Sequence, residues 1–181
     1  MLSDLQTQKI IKFFSMYDTN CDGFLVSEDF QSIVKKLADL KNLGIRSAKY
    51  IALKDRFSRA WKALEAHADL NHDHKISLKE WLSYYQTVLA DEAKYKDELH
   101  TLMDLVFEVF DENGDGKICQ GEWEHLFSIY NICPIYASDI FQKLDKNQDG
   151  FLDRSEVMDL IYHFFYSNDP QDLANRMFGP Y

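Results

Sequence analysis

Apolar residues recur at intervals of three and four along almost the whole chain, as in Ile10, Ile11, Phe13, Phe14 and Tyr17. That is the period of a helix with one buried face, and not the period of two that a strand shows. Only 3 Pro and 7 Gly interrupt 181 residues, so the helical reading extends nearly from end to end. Ser3-Asp-Leu-Gln6 reads as a capping box: the Ser oxygen can take the third helical N–H while Gln6 reaches back to the Ser N–H. The polar breaks between helices share one order of residues: Asp18-Thr-Asn20-Cys-Asp22-Gly23, Asp69-Leu-Asn71-His-Asp73-His74, Asp111-Glu-Asn113-Gly-Asp115-Gly116 and Asp145-Lys-Asn147-Gln-Asp149-Gly150. This is a fourfold internal repeat. Each break runs through an aromatic or cationic residue and an aliphatic one (Leu25, Ile76, Ile118, Leu152) into another helical stretch. The pattern predicts an all-α fold of four helix–loop–helix units.

Each break is spaced to hold a hard divalent cation. Oxygen atoms at loop positions 1, 3, 5, 7, 9 and 12 can surround such an ion, the seventh through its backbone carbonyl. A Glu at 12 binds through both oxygens, and a Gly at 6 lets the backbone turn through positive φ. Loop three (111–122) meets the pattern with Asp111, Asn113, Asp115, Gly116, the Lys117 carbonyl and Glu122. Loop four (145–156) meets it with Asp145, Asn147, Asp149, Gly150, the Phe151 carbonyl, Asp153 and Glu156. Loop one (18–29) keeps Asp18, Asn20, Asp22 and the Phe24 carbonyl but ends in Asp29, one methylene short of easy bidentate reach. A six-coordinate site that admits Mg²⁺ is expected there. Loop two (69–80) keeps Asp69, Asn71, Asp73, the Lys75 carbonyl, Ser77 and Glu80 but carries His74 at position 6. Strain of about 1–2 kcal/mol is expected to weaken that site without abolishing it. The expected ions are Ca²⁺ at up to four loops, foremost three and four, with Mg²⁺ competing.

Leu25, Ile76, Ile118 and Leu152 all fall at position 8, where two loops can lie antiparallel in a short β ribbon. Loops one and two then form an N-terminal pair over 1–92, loops three and four a C-terminal pair over 93–167, and residues 168–181 a tail packed on both. Both pairs are expected to share one compact globule, and pairing to make cation binding cooperative, since ordering one loop lowers the cost of ordering the other.

Charge follows the loops. The chain carries 20 Lys+Arg against 30 Asp+Glu, a net −10. Thirteen of those acids stand at ligand positions, and setting them aside leaves 17 acids against 20 bases. Acidity confined to clusters requires a counter-cation for compactness, and it repels nucleic acid and anionic lipid. At 46% hydrophobic residues, including 13 Phe, 10 Tyr and 3 Trp, the chain can fill a sizeable core. Cys21, Cys119 and Cys133 form no disulfide framework, and Cys133 reads as a buried or structural thiol. The chain opens with no basic-then-apolar leader and no glycine after the initiator, so a cytoplasmic monomer without a membrane anchor is expected.

Four loops of this kind resemble the EF-hand superfamily over essentially the whole chain. The spacing narrows the resemblance: 39 residues separate loops one and two, 30 separate two and three, and 22 separate three and four. A long connection in the first pair is similar to the sarcoplasmic calcium-binding proteins and calexcitin. So are the Leu-Ser-Asp start, Lys79-Glu80-Trp81-Leu82 after loop two, and the closing run from Phe165-Tyr166 to Phe178-Gly179-Pro180. The resemblance implies an intracellular Ca²⁺/Mg²⁺ buffer or, alternatively, a calexcitin-like signalling protein that binds a protein target when Ca²⁺-loaded. Photoproteins and luciferin-binding proteins are similar too, but their His, Trp and Tyr align with Ile161, Phe165 and Phe178, which offer no hydrogen bond. A carrier of an apolar ligand is the third reading.

No Gly-x-Ser-x-Gly elbow, phosphate-cradling Gly loop or His-Glu-x-x-His helix occurs, so no enzyme is expected. His67, His72 and His74 crowd loop two, but no Cys adjoins them and the last two face solvent, so a zinc site of those three is not expected. Phe13-Phe14, Phe107-Phe110 and Phe164-Phe165-Tyr166 read as core. Met16, Met103, Met158 and Met177 are dispersed rather than gathered as in a sensor groove. Ala90 to Asp97 continues the helical, charged pattern without a tether. Both features favour the buffer.

Overall fold

The structure is a computed structural model describing the backbone of residues 1–130 and 132–180, and their side chains except those of 98–100, 102–106 and 108. Its first helix, α1 (Asp4–Tyr17), opens with the expected capping box: Ser3 Oγ accepts the Gln6 N–H at 3.1 Å and Gln6 Oε1 accepts the Ser3 N–H at 3.0 Å. A two-residue strand β1 (Phe24–Leu25) leads into α2 (Ser27–Leu40). The long first connection is filled by α3 (Ala48–Ala68), capped by Ser47 Oγ, followed by β2 (Ile76–Ser77) and α4 (Leu78–Leu89). The second half repeats the order with α5 (Glu92–Phe110), β3 (Lys117–Cys119), α6 (Gln120–Ile129), α7 (Ala137–Leu144), β4 (Phe151–Asp153) and α8 (Arg154–Tyr166). Single 3-10 turns at Pro134–Tyr136 and Leu173–Arg176 complete it. The all-α class with short antiparallel ribbons thus holds.

The ribbons join loops as the aliphatic positions required. β1 pairs β2 with Leu25 opposite Ile76, and β3 pairs β4 with Ile118 opposite Leu152. All four position-8 side chains are buried. One expectation is corrected at the midpoint. Ala90 and Asp91 break the chain between α4 and α5, because Asp91 Oδ1 caps the Ala93 and Lys94 N–H groups and starts a new helix.

A single aromatic core runs through both halves. The Phe13 ring lies 5.4 Å from Tyr17, 5.6 Å from Trp81, 5.9 Å from Tyr85, 5.7 Å from Phe165 and 5.9 Å from Phe178. It therefore touches α1, α4, α8 and the tail at once. Tyr85 stacks on Phe165 at 5.4 Å, and Tyr17 meets Tyr130 edge-on at 5.5 Å. Polar links cross the same seam: Lys36 Nζ donates to Ile129 O at 3.1 Å, and Lys41 Nζ to Val109 O. In the tail, Ala174, Asn175, Met177 and Phe178 are buried, and the fully buried Lys9 donates to Ser167 O at 2.8 Å and Asn175 Oδ1 at 3.1 Å. Gly179 (φ +84) lets the tail turn against Ile132, whose Cγ2 would stand 3.0 Å from an added Cβ.

Candidate metal centres

The four loops are built by helix ends. Position 1 is the residue that ends the preceding helix, and its N–H donates to the carbonyl four residues back: Asp18 to Phe14, Asp69 to Glu65, Asp111 to Phe107 and Asp145 to Phe141, at 2.9–3.1 Å. Position 9 is the N-cap of the following helix (Val26, Ser77, Cys119, Asp153), so position 12 is its third residue. A carboxylate there is drawn back by the N-cap N–H: Val26 to Asp29 Oδ2 at 3.0 Å, Ser77 to Glu80 Oε2 at 2.9 Å, Cys119 to Glu122 Oε2 at 2.8 Å and Asp153 to Glu156 Oε2 at 3.1 Å. The residue the loop pattern needs at 12 is therefore also the one that capping favours at the start of a helix.

The other oxygens are fixed just as regularly. Position 1 accepts the N–H of position 6 through Oδ2 in all four loops: Gly23 at 3.0 Å, His74 at 2.9 Å, Gly116 at 2.8 Å and Gly150 at 2.9 Å. Each position-3 Asn (Asn20, Asn71, Asn113, Asn147) accepts from the N–H of position 5 at 2.8–2.9 Å. Each position-5 Asp (Asp22, Asp73, Asp115, Asp149) accepts from the N–H of position 7 at 2.9 Å. Position 12 reaches across the loop to the N–H of position 2 in loops one, two and three: Thr19, Leu70 and Glu112. Asp153 also accepts the Glu156 N–H at 2.8 Å.

These contacts hold the carboxylates in place while burying them. Asp18, Asp29, Asp69, Glu80, Glu122 and Asp145 are all under one-tenth exposed. In loop four, Asp145 Oδ1 is buried with no hydrogen-bond partner among the described residues. An acceptor left bare inside a ring of acids is costly unless a cation meets it, so the donor set fits a hard, oxygen-seeking divalent ion. Burial alone raises the Glu80 carboxyl, but bonds from Ser77 and from the Leu70 and Asn71 N–H groups outweigh it and hold it below the usual carboxylate range.

Backbone N–H groups fix the side chains the spacing singled out at positions 1, 3, 5 and 12 of each loop, and the structure adds three things the sequence did not disclose. Position 4 is left-handed in every loop: Cys21 (φ 59), His72 (φ 61), Gly114 (φ 75) and Gln148 (φ 58). His74 holds φ 63 at position 6, as expected for a residue doing a glycine's work. Second, the position-7 side chains face one another across each ribbon. Lys75 Nζ lies 5.5 Å from the Phe24 ring centre, and Lys117 Nζ lies 5.0 Å from that of Phe151 and 3.4 Å from Asp149 Oδ2. Third, Cys133 is exposed rather than buried, because it lies on the turn that feeds the 3-10 segment before α7. His67 is bound within its own helix, its Nδ1 lying 2.7 Å from Ala63 O, and His67, His72 and His74 form no ligand group among the described residues.

Known proteins agree with this geometry. A family model described as EF hand matches residues 102–128 and 138–161, which span the helices around loops three and four. Sarcoplasmic calcium-binding proteins I, III and IV of Branchiostoma lanceolatum are 22% identical over 98% of both chains. Calexcitin-1 of Caenorhabditis elegans is 26% identical over 93% of this chain and 83% of its own. Among solved structures, an amphioxus sarcoplasmic calcium-binding protein superposes with a TM-score of 0.76 at 21% identity, covering 100% of both chains. The Ca²⁺-loaded apo form of the coelenterazine-binding protein of Renilla muelleri gives 0.77 at 20% identity over 99% of this chain and 100% of that one. The chain is thus a calcium-binding EF-hand protein and not an enzyme. Along nearly its whole length it is related to the sarcoplasmic calcium-binding proteins and calexcitin. No helix among the described residues is long and apolar enough to cross a membrane.

Proposed function

We propose that the protein is a cytoplasmic, monomeric Ca²⁺/Mg²⁺ buffer of the sarcoplasmic type. Its ions are held by Asp18, Asn20, Asp22, the Phe24 carbonyl and Asp29 in loop one. Loop two contributes Asp69, Asn71, Asp73, the Lys75 carbonyl, Ser77 and Glu80, and loop three Asp111, Asn113, Asp115, the Lys117 carbonyl and Glu122. In loop four they are Asp145, Asn147, Asp149, the Phe151 carbonyl, Asp153 and Glu156. Loops three and four carry the full Gly and Glu pattern and bind Ca²⁺ most tightly, while Asp29 gives loop one the smaller coordination shell that tolerates Mg²⁺. Residues 1–92 and 93–167 act as cooperative pairs, with 168–181 closing over both.

One observation carries the buffer reading: the apolar faces of the two pairs are spent on each other through Phe13, Tyr85 and Phe165. A sensor must instead open an apolar groove for a target helix. Fluorescence of a hydrophobic-surface dye tests this. Bright apo protein, quenched equally by Mg²⁺ and Ca²⁺, supports the buffer; brightening by Ca²⁺ above the Mg²⁺ level supports the calexcitin-like sensor. The apolar-ligand carrier is disfavoured by size. The aromatic cavity lined by Phe13, Tyr17, Phe30, Trp81, Tyr84 and Tyr85 is about 120 Å³, against roughly 300–1,000 Å³ for ordinary small-molecule sites.

A further inference from the structure

Loop two departs from its three siblings by placing an imidazole where the others have a bare glycine, and the structure shows where that imidazole goes. His74 Nδ1 lies 2.8 Å from Glu65 Oε1, on the last turn of α3. Glu65, Asp69 and His74 each present one donor atom within 4.8 Å of the others, the one such group of three among the described residues. They come from a ten-residue segment: Asp69 follows Glu65 by one helical turn and ends the helix, and His74 folds back over it through its left-handed backbone. The set is local, so it is formed wherever α3 and the start of the loop are formed.

We propose that Glu65, Asp69 and His74 form a Zn²⁺ site on the rim of loop two, separate in chemistry from the calcium loops but sharing one carboxylate with the second of them. One imidazole nitrogen with two carboxylate oxygens suits a borderline ion such as Zn²⁺ and not Ca²⁺, which takes oxygen alone. Zn²⁺ bonds of about 2.0–2.2 Å in a tetrahedral shell set donors roughly 3.4 Å apart. The His74–Glu65 pair must open slightly, with the ion taking the place of the proton now between them. The His74 side chain is 85% exposed and that of Glu65 25% exposed, so the imidazole is free to make that adjustment while water completes the shell.

The shared Asp69 gives the site a consequence, which rests on the assignment of loop two under the proposed function. Because Asp69 serves position 1 of the loop, Zn²⁺ and Ca²⁺ oppose each other there, and each lowers the affinity for the other by the same factor.

Isothermal titration of the full-length, metal-stripped chain with Zn²⁺, and absorption titration with Co²⁺ as a coloured substitute, test the site in dilute Mg²⁺ buffer, which suppresses stray binding to loops one, three and four. One equivalent is expected, weakened tenfold or more in His74→Gly and in Glu65→Gln and unchanged in His67→Gln and His72→Gln. His74→Gly restores the residue found in the other loops, so it keeps its fold, which far-ultraviolet circular dichroism verifies; His74→Gln is the second probe. Undiminished binding in both His74 variants, or loss in His67→Gln, overturns the site. Repeating the titration with Ca²⁺ in place of Mg²⁺ tests the sharing: at least threefold weaker Zn²⁺ binding supports it, and no change overturns it. A Glu80→Gln titration with Ca²⁺ alone reports separately whether loop two binds calcium, so failure of that assignment is distinguishable from failure of the zinc site.

Discussion

At the scale of the residue, the twelfth position of each loop does two jobs, and they can be pulled apart. Glu122 and Glu156 cap their helices through one oxygen and, under the proposed function, give both oxygens to an ion. An amide keeps one acceptor for the cap but removes the charge and the second ligand oxygen. Glu122→Gln and Glu156→Gln should each lose one high-affinity calcium, with the thermal midpoint of the metal-free protein moving by a few degrees or less. Equilibrium dialysis with radioactive calcium counts the ions, and an unchanged count in either variant refutes that assignment. The ligand spacing was legible because it lies within twelve residues. His74 as a strained stand-in for glycine was legible too, from residue type alone. The burial of Lys9 was not, since the atoms that receive its amine lie 158 and 166 residues away.

At the scale of the element, each ribbon is two or three residues long, yet it joins two loops into one unit. Ile118 and Leu152 face each other at its centre, both buried. Ile118→Ala should cost about 2–5 kcal/mol in the C-terminal pair, and it should weaken loops three and four together rather than the loop that carries the change. A calcium titration should then show a lower Hill coefficient; selective weakening of loop three alone would contradict coupling through the ribbon. Position 8 was readable as an aliphatic in a polar repeat, whereas the Ala90–Asp91 break was not. The charged helical pattern runs straight through it, and only the Asp91 cap decides the matter.

The tail is an element held by one buried cation. Burial lowers the Lys9 amine from 10.5 to about 8, with Asp172 opposing that shift in part. A lysine whose folded pKa is depressed binds fewer protons than the unfolded chain between those two values, so stability rises as pH climbs from about 8 toward 10.5. Burial also lowers Lys12 and Lys36, which adds to the rise, while buried Tyr95 and Tyr130 titrate above the usual tyrosine range and reverse the trend above about pH 10. Urea midpoints of the Ca²⁺-saturated protein should therefore increase between pH 7.5 and 9.5. Lys9→Met should flatten part of that slope while lowering stability overall, because Ser167 O and Asn175 Oδ1 lose their donor. An equal slope in the variant assigns the pH dependence elsewhere.

At the scale of the whole molecule, the question is whether two loop pairs behave as one body. Phe13 belongs to the first helix, yet its ring packs on Phe165 of α8 at 5.7 Å and on Phe178 of the tail at 5.9 Å, about as closely as on Trp81 of α4 at 5.6 Å. Truncating it opens a cavity that neither half can close alone, so Phe13→Ala should cost about 3–5 kcal/mol and should destabilise both halves by the same amount. Trp81 and Trp123 supply the reporters, one buried beside each loop pair. With Trp61 replaced by Phe, variants retaining only Trp81 or only Trp123 should unfold in urea with one shared midpoint, and Phe13→Ala should move both midpoints together. A molecule of independent lobes would give two midpoints, with only the Trp81 reporter following the mutation. That outcome would leave each lobe free to open when it fills with calcium, and it would favour the sensor over the buffer. Coincident midpoints mean that opening one lobe requires breaking the core of both, which is the physical reason a protein built this way takes up calcium without presenting a new apolar face.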